Sequence, residues 1–518
     1  MQSTFSGLNT MVNGIYTNRL SLNTVGHNIS NSSTEGYSRQ QAHGTATLPS
    51  EVYTLSGAVM VGNGSTISAV ERARDQYADR QYWKENGNDG YYNGKASNYS
   101  KIESIFNDSD NSGIQNVLEK FYEAWQDCST TASTDTSRQN VINAGQNFAE
   151  SLQTAAVQVK EQINSLYDDI RLSVDKVNSL TSQLVELNKN ISGMEAAGAM
   201  ANDLRDQRDL IVDQLSNIMN VNVYPNENGM YAIVSNGTTL VNGISKVDLV
   251  MSDPVNNNQY SLNDYKIMIK GVDVEYKPGS GELQAQFEAI DEDKGYIDQI
   301  ADMAAFMLTT LNDQHKIGYG IDEAVTHGIN FYGSDDYSYS WNPTDGFKST
   351  ETATGTVTAM KGMQIIDELV VNTKLTEKDG HKKLATRSMG SDGNVNGTGY
   401  GSNAVWVSTL FNCEQKNTDP NNNTAARSIG TSSLYSFYNT NMTTMGSDTS
   451  NMNGKVKFQK NVMTQVENLR DSTSGVNWDE ELSNMIMFQQ GYSACSRCLN
   501  AMDECLDKLV NGTGVVGR

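Results

Sequence analysis

The sequence predicts a mainly α protein with inserted β-rich domains, built from paired terminal coiled-coil helices, an elongated helical bundle and outer β-rich insertion domains. Three observations carry this. Apolar residues recur at alternating steps of three and four at both ends of the chain and through a long central stretch, the signature of helices that pack along a narrow seam. Around residues 221–281 the pattern changes to short apolar runs among Asn-Gly turns, which reads as β-hairpins. No run of 18 apolar residues occurs, so nothing in the sequence reads as a membrane-spanning helix.

In chain order, Phe5, Leu8, Val12, Ile15, Leu22 and Ile29 define a first heptad helix, with Arg19 on the seam and Val25-Gly26 sharing the next place. Gly7, Gly14 and Gly26 each cost a helix about 1 kcal/mol against Ala, so this helix is expected to depend on a partner. His27 to Gln40, dense in Asn, Ser and Gly, breaks it and turns the chain. Residues 41–70 read as extended or irregular, with a turn and short strand in Val61 to Val70, and helical spacing returns from near Arg72 to about Gly87.

Helix resumes from Ile102 in pieces, Ile114 to Cys128 and Arg138 to about Met194, the second with a stutter at Leu166, Ile170 and Val174. Asp203 to Met219 adds a shorter helix, and after the hairpins Leu283 to His315 is helical again. Residues 318–400 read as a second, outward-facing insertion, β-leaning at Gly355 to Met360 and Gln364 to Val371. Helical patterns follow at Asn403 to Asn412, Ser433 to Met445 and Lys455 to Ser472.

The last helix, Trp478 to Val510, carries Met485, Phe488, Tyr492, Cys495, Leu499, Met502, Leu506 and Leu509 on one seam. Asn477 suits its N-cap with Glu480 as capping-box partner, and Asn511-Gly512 its end. A narrow apolar stripe on the order of 50 Å long needs a partner stripe, and the first helix supplies one. The expected organisation is therefore nested: a terminal coiled coil of 1–45 plus 478–518, a helical bundle of 46–220 plus 282–317 plus 401–477, a β-rich insertion at 221–281 and an outer insertion at 318–400.

Charge narrows the partners. With 38 basic and 61 acidic residues the formal net charge is −23, which argues against nucleic acid or an anionic membrane surface. The start lacks the basic and continuous apolar regions of a cleaved secretory signal, so the chain is expected to stay in the cytosol or leave by another route. Cys128, Cys413, Cys495, Cys498 and Cys505 are odd in number and scattered, which disfavours a disulfide framework. Cys495 and Cys498 lie mid-helix without further ligands, so small buried hydrophobes are the better reading. His27, His43, His315, His327 and His381 fall in no metal or triad spacing, and Asp291-Glu292-Asp293 and Ser334-Asp335-Asp336 lack the pattern of an EF-hand loop. No catalytic, cofactor or metal site is expected.

The run SLNTVGHNISNSSTEGYSRQ resembles the N-terminal motif of bacterial flagellar axial proteins, carried here by Asn28, Asn31, Gly36, Tyr37, Arg39 and Gln40. GNGSTISAVERARDQYADRQ, DLRDQRDLIVDQLSNIMNVNV, LNDQHKIGYG with GINFYG, and SGVNWDEELSNMIMFQQGYSACSRCLNAMDECLDKLV are similar to the flagellar hook-associated protein 1 family. The likeness covers about 1–330 and 400–518; Gly26-His27-Asn28 departs from the usual Ala-Asn-Asn, and 340–400 shows no family pattern. It implies a structural subunit exported through the flagellar type III apparatus to the extracellular hook–filament junction. It also implies a homo-oligomeric ring of about one helical turn, hook protein below, the second junction protein and filament above, and an export chaperone on the C-terminal helix beforehand. The alternatives are another axial component, a secreted adhesin with its binding domain at 318–400, or a cytosolic coiled-coil scaffold.

Overall fold

The computed structural model describes residues 6–54, 57–106, 113–226, 228–321, 327–391, 394–414 and 426–512; Phe5 lies outside them. The first helix, α1 (Ser6–Asn31), is followed by a ribbon of β1 (Gln40–Ala46), β2 (Ser50–Thr54), β3 (Gly57–Val61) and β4 (Ser65–Arg72). β1 pairs antiparallel with β4 and β2 with β3. This ribbon lies along α1: Asn13 Nδ2 donates to the Asn63 carbonyl at 3.1 Å and Thr17 Oγ1 to that of Ser65 at 3.0 Å. The expected boundary at residue 45 thus falls inside β1, and residues up to Arg72 keep company with the terminal helix.

The bundle comprises α2 (Gln76–Ile105), α3 (Ile114–Thr130), α4 (Asp135–Ala196) and α5 (Asn202–Ile218). At 62 residues, α4 is about 93 Å long, and its buried row runs from Val141 through Val159, Ile170 and Leu184 to Ile191. α2 does not stop near Gly87 as its glycines suggest. A Cβ at Gly90 would meet the Asn217 carbonyl, and one at Gly94 would sit 2.9 Å from the Ala285 Cβ. Here glycine lets α5 and the next bundle helix approach the α2 backbone, and tertiary packing overrides its low propensity.

Residues 221–281 hold β5 (Asn222–Pro225), β6 (Tyr231–Ser235), β7 (Thr238–Asn242) and β8 (Ser245–Lys246), a four-stranded antiparallel meander. β9 (Leu249–Met251), β12 (Ile267–Ile269) and β13 (Glu275–Tyr276) form a three-stranded sheet in the order β13-β12-β9, beside the pair β10 (Val255–Asn257) and β11 (Leu262–Asp264). α6 (Glu282–Phe306) returns to the bundle and passes through one π turn, Met307–Leu311, into α7 (Asn312–Lys316).

From there the chain builds β14 (Tyr337–Asn342), β15 (Gly346–Glu351) and β16 (Val357–Met360), an antiparallel sheet, then α8 (Met363–Asp367), α9 (Thr373–Thr376) and a 3₁₀ turn at Gly380–Lys383. Two expectations for this region are corrected. Gln364 to Val371 is no strand: Ile365 and Ile366 are buried on α8, and so short an apolar run carries no distinguishing period. Nor does the region only face outward. Phe331 and Tyr332 are fully buried and pack with Phe121 and Trp125, and Phe411 packs on Phe121.

Asn312 fixes that loop by receiving the Phe331 and Tyr332 N–H groups, each at 2.9 Å. His315 accepts the Ala385 N–H at Nε2 and donates through Nδ1 to the Ile329 carbonyl at 2.8 Å. Burial pushes its pKa down to about 4. α10 (Ser402–Asn412), α11 (Leu434–Ser474) and α12 (Trp478–Gly512) complete the chain. α11 is one helix where two were expected, continuous through Gly446 and Gly454.

One core group has a pH consequence. Asp293 on α6 is fully buried, accepts from Asn98 Nδ2 at 2.8 Å, and is pushed up to about 7 by burial. The folded state therefore holds a proton that the unfolded chain releases near pH 4, so this contribution to stability is full below that value and is lost as pH rises through 7. Asp293→Asn is expected to remove the loss, raising stability at pH 8 by up to about 4 kcal/mol with little change at pH 4. Thermal melts of both chains at the two pH values check this; an equal offset at both contradicts it.

Candidate assembly interface

α1 and α12 pack antiparallel, in register, along their whole shared length. Gly7 lies against Met502, Gly14 against Cys495, Gly491 against Asn18, and Asn28 against Glu481. Leu8, Val12, Ile15, Leu22 and Ile29 are half-buried on α1, as are Met485, Phe488, Leu499, Met502 and Leu506 on α12. Two expected seam positions stand aside. Tyr492 is 39% exposed and Leu509 55%. Gly491 takes the close-contact place beside Tyr492, because the Asn18 amide, tied to the Gly14 carbonyl at 2.8 Å, fills the space there. Arg19 also leaves the seam and lies over the Tyr16 ring at the surface.

Sequence reasoning missed that Gly7, Gly14, Ser21 and Asn28 form a column of small and polar residues spaced seven apart. Its contacts on α12 make some glycines necessary rather than merely costly. Gly26→Ala, with open space around it, is expected to stabilise α1 by up to about 1 kcal/mol. Gly491→Ala gains the same propensity but drives a Cβ into the Asn18 amide, so protection of α1 and α12 against hydrogen exchange should fall. Both variants moving in the same direction would contradict this packing.

The turn motif closes the end of the pair. Asn28 Nδ2 donates to the Gln40 carbonyl at 2.9 Å and to Glu481 Oε2 at 3.3 Å, while its Oδ1 accepts from Gln40 N at 2.9 Å and Tyr37 Oη at 2.7 Å. Arg39 reaches Glu481 at 2.7 Å and Glu480 at 2.6 Å, and its N–H donates to the Ser474 carbonyl at 2.9 Å. Burial alone would lower the Arg39 pKa; the two carboxylates hold it above its ordinary value. Burial, then Asp203, Asp206 and Glu481, keep the Tyr37 phenol protonated. Asn31 and Gly36 shape the turn itself: Asn31 binds the His27 carbonyl at 3.0 Å, and Gly36 sits at φ +76° against Leu210.

Asn477 does cap α12, receiving the Asp479 N–H at 3.0 Å, but Glu480 is not its reciprocal partner. It is drawn off to Arg39 instead. The motif thus joins both ends of the chain: Asn28 and Arg39 bond the buried Glu481, and Tyr37 and Gln40 hold Asn28 in place.

Beneath this clasp lies a charged joint to the bundle. Arg72 binds Asp206 at 2.7 Å and Asp209 at 2.8 Å, Arg74 binds Asp79 at 2.9 Å, and Arg470 binds Asp213 at 2.7 Å. Ser38 N–H donates to Asp206 at 3.0 Å and Trp83 Nε1 to Asp213 at 2.7 Å. Asp206, Asp209 and Asp213 share one α5 face that would ordinarily be apolar, and all are buried. Burial pushes Asp209 up, but Arg74, Arg72 and Arg208 together hold it below the usual carboxylate range.

The outer side of the helix pair is bare. Leu482, Ile486 and Met487 on α12 and Tyr16 and Leu20 on α1 are exposed, Ile486 by 59%. Cys498 and Cys505 are exposed free thiols and Cys495 is half-buried against Gly14, so of the two cysteines expected to be buried, Cys498 is not. Among the described residues no helix is long and apolar enough to cross a membrane.

Residues 99–332 match the family described as flagellar hook-associated protein FlgK helical domain, and residues 470–512 the flagellar basal body rod FlgEFG protein C-terminal family. The chain is 27% identical over 546 residues to flagellar hook-associated protein 1 of Bacillus subtilis (strain 168), covering 100% of both. It is 26% identical to that of Salmonella typhimurium, covering 97% of this chain and 99% of the relative. The solved flagellar hook junction protein FlgK from Burkholderia pseudomallei shares the fold, with TM-score 0.57 and 17% identity over 77% of this chain and 100% of that one. The terminal helix pair, the long bundle with its inserted sheets, and these full-length likenesses agree: the chain is similar along its whole length to the flagellar hook-associated protein 1 family, structural proteins of the extracellular axis of the bacterial flagellum.

Proposed function

We propose that this chain is the subunit that joins hook to filament. It assembles through its terminal helices into a homo-oligomeric ring of about one helical turn, with hook protein below and the second junction protein and filament above. Before export a chaperone covers the C-terminal helix, and the assembled protein has no catalytic role, no nucleic-acid partner and no membrane contact. The observation that carries the reading is the half-covered helix pair: the seam is closed on one side only, and apolar residues on the outer side of α12 meet solvent. An exposed apolar stripe of this kind on a water-soluble chain marks a protein-contact surface.

Immunogold labelling of isolated flagella with antibody to the chain tests the placement. Label is expected in a single band where hook meets filament, and cells lacking the chain should carry bare hooks while shedding filament subunits. Label distributed along the hook, or normal filaments without the chain, would overturn the reading.

A further inference from the structure

Among the described residues β2 and β3 pair only with each other. β3 reads Gly-Ala-Val-Met-Val and both its faces are bare, Val59 being 48% exposed and Met60 64%. Neighbouring strand residues point to opposite faces, and an isolated two-stranded ribbon is marginal in water. The hairpin's root is nevertheless firmly held. Asn63 and Ser65 accept from α1 side chains, and Gly64, at φ +93°, lies so near α1 that an added Cβ would sit 3.0 Å from the Thr10 carbonyl oxygen.

The ribbon begins where Gln40 meets Asn28 and reaches its far root where Gly64 meets Thr10, about 27 Å farther along α1. The hairpin therefore projects from the end of the terminal unit opposite the Glu481 clasp. The bare α12 row Leu482, Ile486 and Met487 begins at the clasp end itself. The two surfaces are apolar, belong to one unit and lie at its two ends, so they are placed to meet between molecules. Charge points the same way: on a chain of net charge −23 most surfaces repel a second copy, while residues 50–61 carry Glu51 as their single charge.

We infer that the β2–β3 hairpin of one copy docks on the Leu482, Ile486 and Met487 row of the next copy, an inference resting on the reading that the chain assembles with copies of itself. Because protrusion and row are different patches, the contact is heterologous and repeats head to tail, the kind that generates a helical rather than a closed two-fold array.

The test replaces Met60 with the photoreactive amino acid p-benzoylphenylalanine in the full chain, isolates flagella, irradiates them and maps the cross-linked peptides. The expected product joins two copies of this chain through the peptide containing Leu482 to Met487. Cross-links solely to another flagellar protein, or no cross-link in flagella that contain the chain, would overturn the inference. The double variant Val59→Asp/Met60→Asp serves as the second arm. Its monomer should melt like the wild type, since both side chains are bare, while cells carrying it lose their filaments. If flagella hold the wild-type chain and the double variant assembles equally well, the hairpin inference alone fails. If the wild-type chain is absent from isolated flagella, the assembly reading fails with it.

Discussion

Asp209→Ala is expected to cost about 3–5 kcal/mol, because it leaves Arg72 and Arg74 buried beside a missing carboxylate. Asp209 is 2% exposed and touches Arg72 at 2.8 Å and Arg74 at 3.6 Å. Removing one partner of a buried ion cluster costs the desolvation of the charges left behind. The loss should appear first as faster hydrogen exchange in α5 and the start of α2, where the terminal unit meets the bundle. The aromatic core around Trp125 should remain protected. Acid should imitate the mutation: with its folded pKa depressed, the Asp209 contribution is complete above the unfolded value near pH 4 and is lost as pH falls through the folded one. A variant that melts within about 1 kcal/mol of wild type would mean that Asp206 and Asp79, which also bind Arg72 and Arg74, suffice to hold both cations, and would remove this account of the joint.

Leu499→Asp is expected to abolish assembly while leaving the bundle folded. Leu499 sits half-buried on the seam among the contacts that join Met502 to Gly7 and Cys495 to Gly14. The one α1 cation, Arg19, is turned to the surface on Tyr16. A carboxylate on that seam finds no partner, and burying it unpaired costs several kcal/mol, more than a two-helix contact of this length sustains. In the monomer α1 and α12 should lose protection together, and cells should carry no filaments. Tyr492→Asp is the informative contrast: Tyr492 is exposed and Gly491 takes the close contact with α1, so the monomer should keep its protected helix pair. Equal loss of protection in both variants would restore Tyr492 to the seam.

How much of this was readable from the chain depended on whether burial left a period behind. Val159, Ile170 and Leu184 of α4 repeat at helical spacing, and the long helix is plain. α2 hides because its packing side is made of Gly87, Gly90 and Gly94, whose contribution is the absence of a side chain. α11 hides for a related reason, being polar around most of its surface with Met445, Met452 and Met463 as widely spaced anchors. The joint hides because charge replaces apolarity at its buried positions. Its signal was nonetheless present: Asp206, Asp209 and Asp213 recur at three and four steps opposite Arg-rich Glu71 to Arg80, and alternating charges on a helical period read as a packed face once pairing is considered. At the terminal pair the heptads located the partners, while the substitution of Gly491 for Tyr492 depended on the Asn18 amide across the seam, which no single-helix pattern contains.

The arrangement of α1 and α12 also bears on the order in which the molecule acquires its shape. Their contacts span nearly the whole sequence, and native pairings this distant are slow to form because loop closure must precede any gain from contact. The folded bundle shortens the search: the polypeptide leaves it at Arg72 and re-enters the terminal unit at Ser474, two points held together by the joint, so each helix meets the other at high effective concentration. The expected kinetics are a bundle that folds early and a terminal pair that zips last. A chain threaded outward through a narrow conduit could therefore complete its interior before its ends are committed, and the ends would remain free to choose a neighbour.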